Sequence, residues 1–281
     1  MKKPVRNLII FAVVALGAGF AGMALDRLNP PEDPMGGAGA LIWLVSPLVA
    51  CLLLRLIGND GWFDFGLGPR FRKSWAWYPV ALLIAPAVVA VTLGMGMLTG
   101  NVSLNGSVGG PAAFLPLMAA AFGGAMVKNV FEEFAWRGYL TPRLEAIGTH
   151  PFLNSLLTGI VWAGWHVPYY LYYLDRAVLL SHTTLPLAPF IGLSFLLLIF
   201  QALGYGELRL LSNSVWPVWL LHNMANAVSL PLFSGGLITV EKGIRGVLFS
   251  PGTEGVIHSL LMGLIGLVLF FIRRRRTLGG G

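Results

Sequence analysis

The chain has 281 residues, 56% of them hydrophobic and only 11% charged, against roughly 25% charged in an average soluble domain. That balance excludes an ordinary soluble globule, and the single cysteine, Cys51, set in an apolar run, excludes an intramolecular disulfide or a cysteine-rich metal site. The net charge of +7 does not describe a nucleic-acid surface, because the basic residues cluster at the ends of apolar runs, where they set membrane topology.

Crossing about 30 Å of hydrocarbon takes roughly 20 predominantly apolar residues in a helix. In chain order, eight segments qualify: residues 8–25, 39–57, 75–98, 111–139, 152–174, 185–205, 214–233 and 256–272. They predict an all-α, polytopic transmembrane bundle, a single integral membrane domain over residues 1–281. A lipid bilayer is its partner and the plasma membrane its expected location. The first run follows Lys2, Lys3 and Arg6 as a signal peptide would, but no small-residue cleavage site precedes Asp26, so it reads as a retained helix.

With an even number of spans both termini share a side. Lys2, Lys3, Arg6, Arg55, Arg70, Arg72, Lys73, Arg143, Arg209 and Arg273 to Arg276 make thirteen cations there, against four, Arg27, Arg176, Lys242 and Arg245, on the other. The excess predicts cytoplasmic termini. Lys128 and Arg137 belong to the fourth segment itself.

That segment also holds Glu132 and Glu133, the only carboxylates expected inside a span. A charge at membrane depth costs a few kcal/mol, so such groups usually face a polar interior or pair with one another. Lys128 precedes Glu132 by four residues and Arg137 follows Glu133 by four, spacings that suit ion pairs. Adjacent helical residues point about 100° apart, so the two carboxylates do not aim easily at one small site. Glu133 is therefore expected to brace the helix with Arg137. Glu132 is left as the working carboxylate, with Lys128 either pairing with it or reaching toward the interface.

Two histidines lie well inside spans, His166 in VWAGWHVPYY and His222 in WLLHNMANA; the others, His150, His182 and His258, lie in loops or near a span end. A lone intramembrane histidine often does no more than hydrogen-bond across a helix interface. His222, however, shares a helix face with Asn226, four residues on. Glu132, His166, His222 and Asn226, from three spans, could surround one water and one peptide carbonyl. A carboxylate can take a proton from water, a histidine can assist or bind the resulting oxygen, and an asparagine amide can donate to an oxyanion. The set suits peptide hydrolysis.

The same residues carry a resemblance. Glu132-Glu133-Phe134-Ala135-Trp136-Arg137, followed by Gly138, resembles the EExxxR signature of the CPBP family, the CAAX proteases and bacteriocin-processing proteins also called Abi. Trp162-Ala163-Gly164-Trp165-His166 is similar to that family's FxxxH motif, with Trp in place of Phe, and His222-Asn223-Met224-Ala225-Asn226 to its HxxxN motif. The resemblance implies a catalytic core over about residues 111–235 of an intramembrane endopeptidase acting on a membrane-associated peptide or protein. It also implies roles: Glu132 as base, His166 as its assistant, His222 and Asn226 as the oxyanion site, and Glu133 and Arg137 as supporting residues.

Other signals carry less. Gly204-Tyr205-Gly206-Glu207 imitates an aspartyl-protease GxGD box without its Asp and reads as a turn at a span end; Gly192-Leu193-Ser194 imitates a rhomboid serine motif but leaves Glu132 unexplained. No HExxH occurs, so no zincin site is expected. A Glu with two His remains an ordinary ligand set for a divalent metal such as zinc, but Asn is a poor zinc ligand and a good oxyanion donor, which favours a site with no cofactor. The alternative from another class is a non-enzymatic scaffold, immunity protein or transporter keeping the polar cluster for packing or passage, although no matching pair of broken helices is visible.

Overall fold

The computed structural model describes residues 3–106, 110–175, 183 and 185–279; Lys2, Arg176 and His182 lie outside them. Each apolar run folds as a helix, because hydrocarbon holds no water to satisfy stray backbone groups. The long helices are α1 (Lys3–Leu28), α2 (Ala38–Leu56), α3 (Trp77–Leu98), α4 (Gly110–Ala135), α5 (Pro151–Pro168), α6 (Leu187–Ser212), α7 (Trp216–Ser234) and α8 (Val256–Gly279). Among the described residues, strand is confined to a ribbon in which β1 (Val102–Leu104) pairs antiparallel with β2 (Ile238–Val240), a small addition to the all-α expectation.

By length and composition, six helices among the described residues can cross a membrane: α1, α2, α3, α4 with its continuation to Ala146, α6 and α8. The sequence predicts eight spans, and the two outside this set are α5 and α7. Their composition gives the reason. They carry Asn154, Thr158 and His166, and His222, Asn223 and Asn226, and Asn154, Thr158, His222 and Asn223 are buried against protein: α5 packs on α1 and α6, and α7 on α3 and α4. Polar groups at membrane depth belong in such an interior position.

Small residues set the closest helix contacts, as expected where lipid tails are as apolar as leucine. A Cβ on either Gly22 of α1 or Gly39 of α2 would collide with the other's carbonyl oxygen. Between α6 and α8, a Cβ on Gly266 would lie 2.6 Å from Gly204 N. The latter contact corrects an expectation. Gly204 to Glu207 is no turn but lies within α6, which runs past the predicted end at residue 205 to Ser212. Gly204 supplies the close approach, and Glu207, 1% exposed, is satisfied by Arg273 of α8, whose Nε and Nη2 donate to it at 2.6 and 3.0 Å. Hydropathy alone ended the segment where its polar pairing begins.

The start of α1 and the end of α8 lie at the same end of the bundle. Asn7 Nδ2 of α1 donates to Gly58 O beyond α2 (3.0 Å), and Arg273 of α8 also reaches Glu145 (3.0 Å). Residues 58–70 are stitched across this end. Arg55 pairs with Asp64 (2.8 Å), and Arg143 with Asp60 (3.0 Å) and Asp64 (3.1 Å). Val215 N donates to Gly66 O (3.0 Å), Trp216 Nε1 to Leu67 O (2.6 Å) and Ser214 Oγ to Gly68 O (2.8 Å).

Candidate active site

The first motif stands where α4 changes its winding. Trp136–Leu140 is a π-helical turn, a feature frequent at functional sites. Thr141 N–H bonds back to Trp136 O, and Pro142 brings no N–H, so the carbonyls of Arg137 and Gly138 lose their helical donors. Two buried guanidiniums replace them: Arg209 Nε donates to Arg137 O and Arg55 Nη2 to Gly138 O, each at 2.8 Å. Gly138 is required here because a Cβ would lie 2.7 Å from the Phe65 ring. The turn carrying Glu132 and Glu133 is thus held from below.

The two carboxylates diverge as the helix dictates, and both are buried. Glu132 pairs through Oε1 with Lys128 Nζ, and its Oε2 accepts from Trp162 Nε1 at 3.2 Å. Glu133 Oε1 accepts from Arg137 Nη1 at 3.0 Å, with both side chains 0% exposed. The same oxygen lies 2.7 Å from His222 Nδ1. Glu133 is therefore not apart from the histidines, as spacing along one helix suggests, but holds one of them. The Arg137 guanidinium is sandwiched against Trp162 (4.3 Å) and Tyr205 (4.7 Å), a favourable cation–π placement.

The second motif ends α5. His166 Nδ1 lies 2.8 Å from Trp162 O; a carbonyl only accepts, so Nδ1 carries the hydrogen and Nε2 keeps its lone pair. A second π turn, Tyr169–Tyr173, follows. Tyr169 N–H bonds to His166 O, which leaves Trp165 O to accept from Trp43 Nε1 (2.8 Å), while Trp165 Nε1 donates to Trp43 O (3.0 Å) and the two rings stack at 4.2 Å. This reciprocal lock fixes α5, and with it His166, against α2. In the third motif, on α7, Asn226 Nδ2 donates to Asn129 Oδ1 of α4 at 3.3 Å.

Glu132, His166, His222 and Asn226 line one cavity of about 430 Å³, together with Lys128, Trp162, Tyr169, Tyr170 and Glu254. Glu133 and Arg137 stand behind its wall, and Ser194 of the serine-motif imitation does not line it. Sequence reasoning missed three participants. Asn129, three residues before Glu132, carried a helical-spacing signal; Trp162 stood out only as a Trp in place of the motif's Phe, although its N–H meets Glu132; Glu254, in the loop before α8, carried none. Among the described residues no group of three or more His, Cys, Asp or Glu side chains is placed to hold a metal ion.

Residues 113–228 match a family model described as type II CAAX prenyl endopeptidase Rce1-like. This match falls within the CPBP resemblance, and all three motifs lie inside the matched residues. It supports a membrane-embedded protease. No curated protein matches the chain.

Proposed function

With a CPBP-family core over residues 113–228 as its premise, we propose that the chain is an intramembrane endopeptidase of glutamic type that hydrolyses a peptide bond of a membrane-associated peptide or protein. Its catalytic core spans residues 111–235 of one integral membrane domain, 1–281, set in the plasma membrane. The observation that carries this reading is the meeting of Glu132, His166, His222 and Asn226, from three helices, on one cavity.

Glu132 and the free Nε2 of His166 share the proton of a water whose oxygen attacks the substrate carbonyl; positioned bases of this kind contribute about 10²- to 10⁴-fold. Glu132 retains lone pairs for that water even with Lys128 and Trp162 bound, since a carboxylate offers about four acceptor sites. The carbonyl oxygen becomes an oxyanion, received by Asn226 Nδ2 and His222 Nε2. His222 can donate from Nε2 while Nδ1 faces Glu133 only if its ring is doubly protonated in that step, and the Glu133 carboxylate supplies the counter-charge. Collapse of the intermediate breaks the C–N bond, and the proton held by Glu132 and His166 passes to the leaving amine.

The test is purified protein with a cleavable peptide, assayed with and without a strong chelator. Cleavage that survives the chelator and is lost in Glu132→Gln is the expected result. Undiminished cleavage by Glu132→Gln would overturn the mechanism, whereas loss on chelation and recovery with zinc would turn the same residues into metal ligands.

A further inference from the structure

We infer that the substrate reaches the cavity from the membrane face opposite both termini, the non-cytoplasmic face, so that the polypeptide cut is an exported or membrane-anchored segment lying outside the cytoplasm rather than the tail of a cytosolic protein. The nature of the reaction rests on the protease reading above; the direction of access rests on the geometry of the cavity and on the distribution of Lys and Arg between the two ends.

Beyond the motif residues, the cavity is lined by Met35 between α1 and α2, Leu174 after the second π turn, Phe190 in the first turn of α6, Phe233 near the last turn of α7, and Thr253 and Glu254 just before α8. All of these positions lie at the bundle end where α1 finishes and α8 begins. The start of α1 and the end of α8 are at the other. Met35 is 43% exposed and the Lys128 side chain 37%, so among the described residues the cavity's lining reaches partly exposed positions on the Met35 side.

Toward the terminus-bearing end the way is closed. Trp136, Arg137, Tyr139, Tyr205, Leu208 and Arg209 are all buried, and residues 58–70 lie stitched beneath them through the bonds to Arg55, Arg143 and Val215. A polypeptide coming from that side would have to break a buried ion-pair cluster before meeting Glu132.

The charges orient these two ends. Arg6, Arg55, Arg70, Arg72, Lys73, Arg143, Arg209 and Arg273 to Arg276 belong to the closed end, and Arg27, Lys242 and Arg245 to the open one. Lys and Arg concentrate in cytoplasmic segments. The open mouth, with Glu254 hydrogen-bonded by Tyr170 at 3.2 Å, therefore faces away from the cytoplasm.

The experiment has two arms. In a Cys51→Ser background, single cysteines at Met35→Cys, beside the mouth, and Phe63→Cys, 78% exposed at the closed end, are probed on intact cells with a membrane-impermeant maleimide. Labelling of Met35→Cys alone, with Phe63→Cys reacting only after lysis, is expected; the reverse pattern overturns the inference. In proteoliposomes of uniform orientation, a peptide that cannot cross the bilayer should be cleaved when supplied on the Met35 side, with loss of cleavage when supplied on the Phe63 side. Equal or better cleavage from the Phe63 side overturns it as well. Absence of cleavage from both sides and in detergent would defeat the protease reading, and the labelling arm would still decide which end of the bundle faces away from the cytoplasm.

Discussion

Replacing Glu133 with alanine tests the brace behind the site. Glu133 Oε1 receives both Arg137 Nη1 (3.0 Å) and His222 Nδ1 (2.7 Å), with Glu133 and Arg137 fully buried. Among the described residues Arg137 Nε and Nη2 have no hydrogen-bond partner, so its charge depends on Glu133 and on the Trp162 and Tyr205 rings. Breaking a buried pair from one side costs about 3 to 5 kcal/mol in soluble proteins, while polar contacts between membrane helices average nearer ~0.6 kcal/mol. The substitution deprives Arg137 and His222 of their shared acceptor but leaves the two rings on the guanidinium, so we expect about 2 to 3 kcal/mol. At roughly 2 to 4 °C per kcal/mol for a chain of 150–250 residues, the unfolding midpoint should fall by about 4 to 12 °C. Thermal unfolding in detergent, followed by the fluorescence of the nine tryptophans, reads this directly. Glu133→Gln, which keeps an acceptor oxygen, should fall less. A Glu133→Ala protein as stable as the parent would refute the bracing role and leave Glu133 only its part in charging His222.

Asn226→Ala should lower cleavage by about 10²- to 10³-fold, the loss typical of one oxyanion donor, and Glu132→Gln by about 10²- to 10⁴-fold; both are measured as kcat on protein whose unfolding midpoint matches the parent. Trp162→Phe restores the residue type the motif usually carries but removes the donor to Glu132 Oε2; since that bond is long at 3.2 Å, we expect about 1 kcal/mol, or roughly a fivefold fall in kcat/KM. A reporter fused after Thr277 should behave as cytoplasmic, and a non-cytoplasmic readout would reverse the orientation drawn from the Lys and Arg distribution.

Composition and spacing alone establish that this chain is a helical membrane protein, because 20-residue apolar runs admit no other backbone solution in hydrocarbon. They also separate the directions of two neighbouring glutamates, since a helix turns about 100° per residue whatever surrounds it; the three motifs, which lie inside the residues the family model matches, are legible in the sequence by resemblance. Relations between helices are not. That Glu133 grips His222, that Trp162 donates to Glu132 and that Asn129 receives Asn226 depend on partners 89, 30 and 97 residues apart in the chain. The fate of Glu207 was hidden for the same reason: a Gly-Tyr-Gly-Glu stretch ends an apolar run on paper, and only Arg273 on another helix lets α6 continue through it. Which end of the bundle is closed was likewise a tertiary matter. The π turn and Pro142 release two carbonyls, but it is Arg55 and Arg209, from α2 and α6, that satisfy them and draw residues 58–70 over that end. Periodicity and composition report what each segment needs from its surroundings; which neighbour supplies it is decided only when the segments pack.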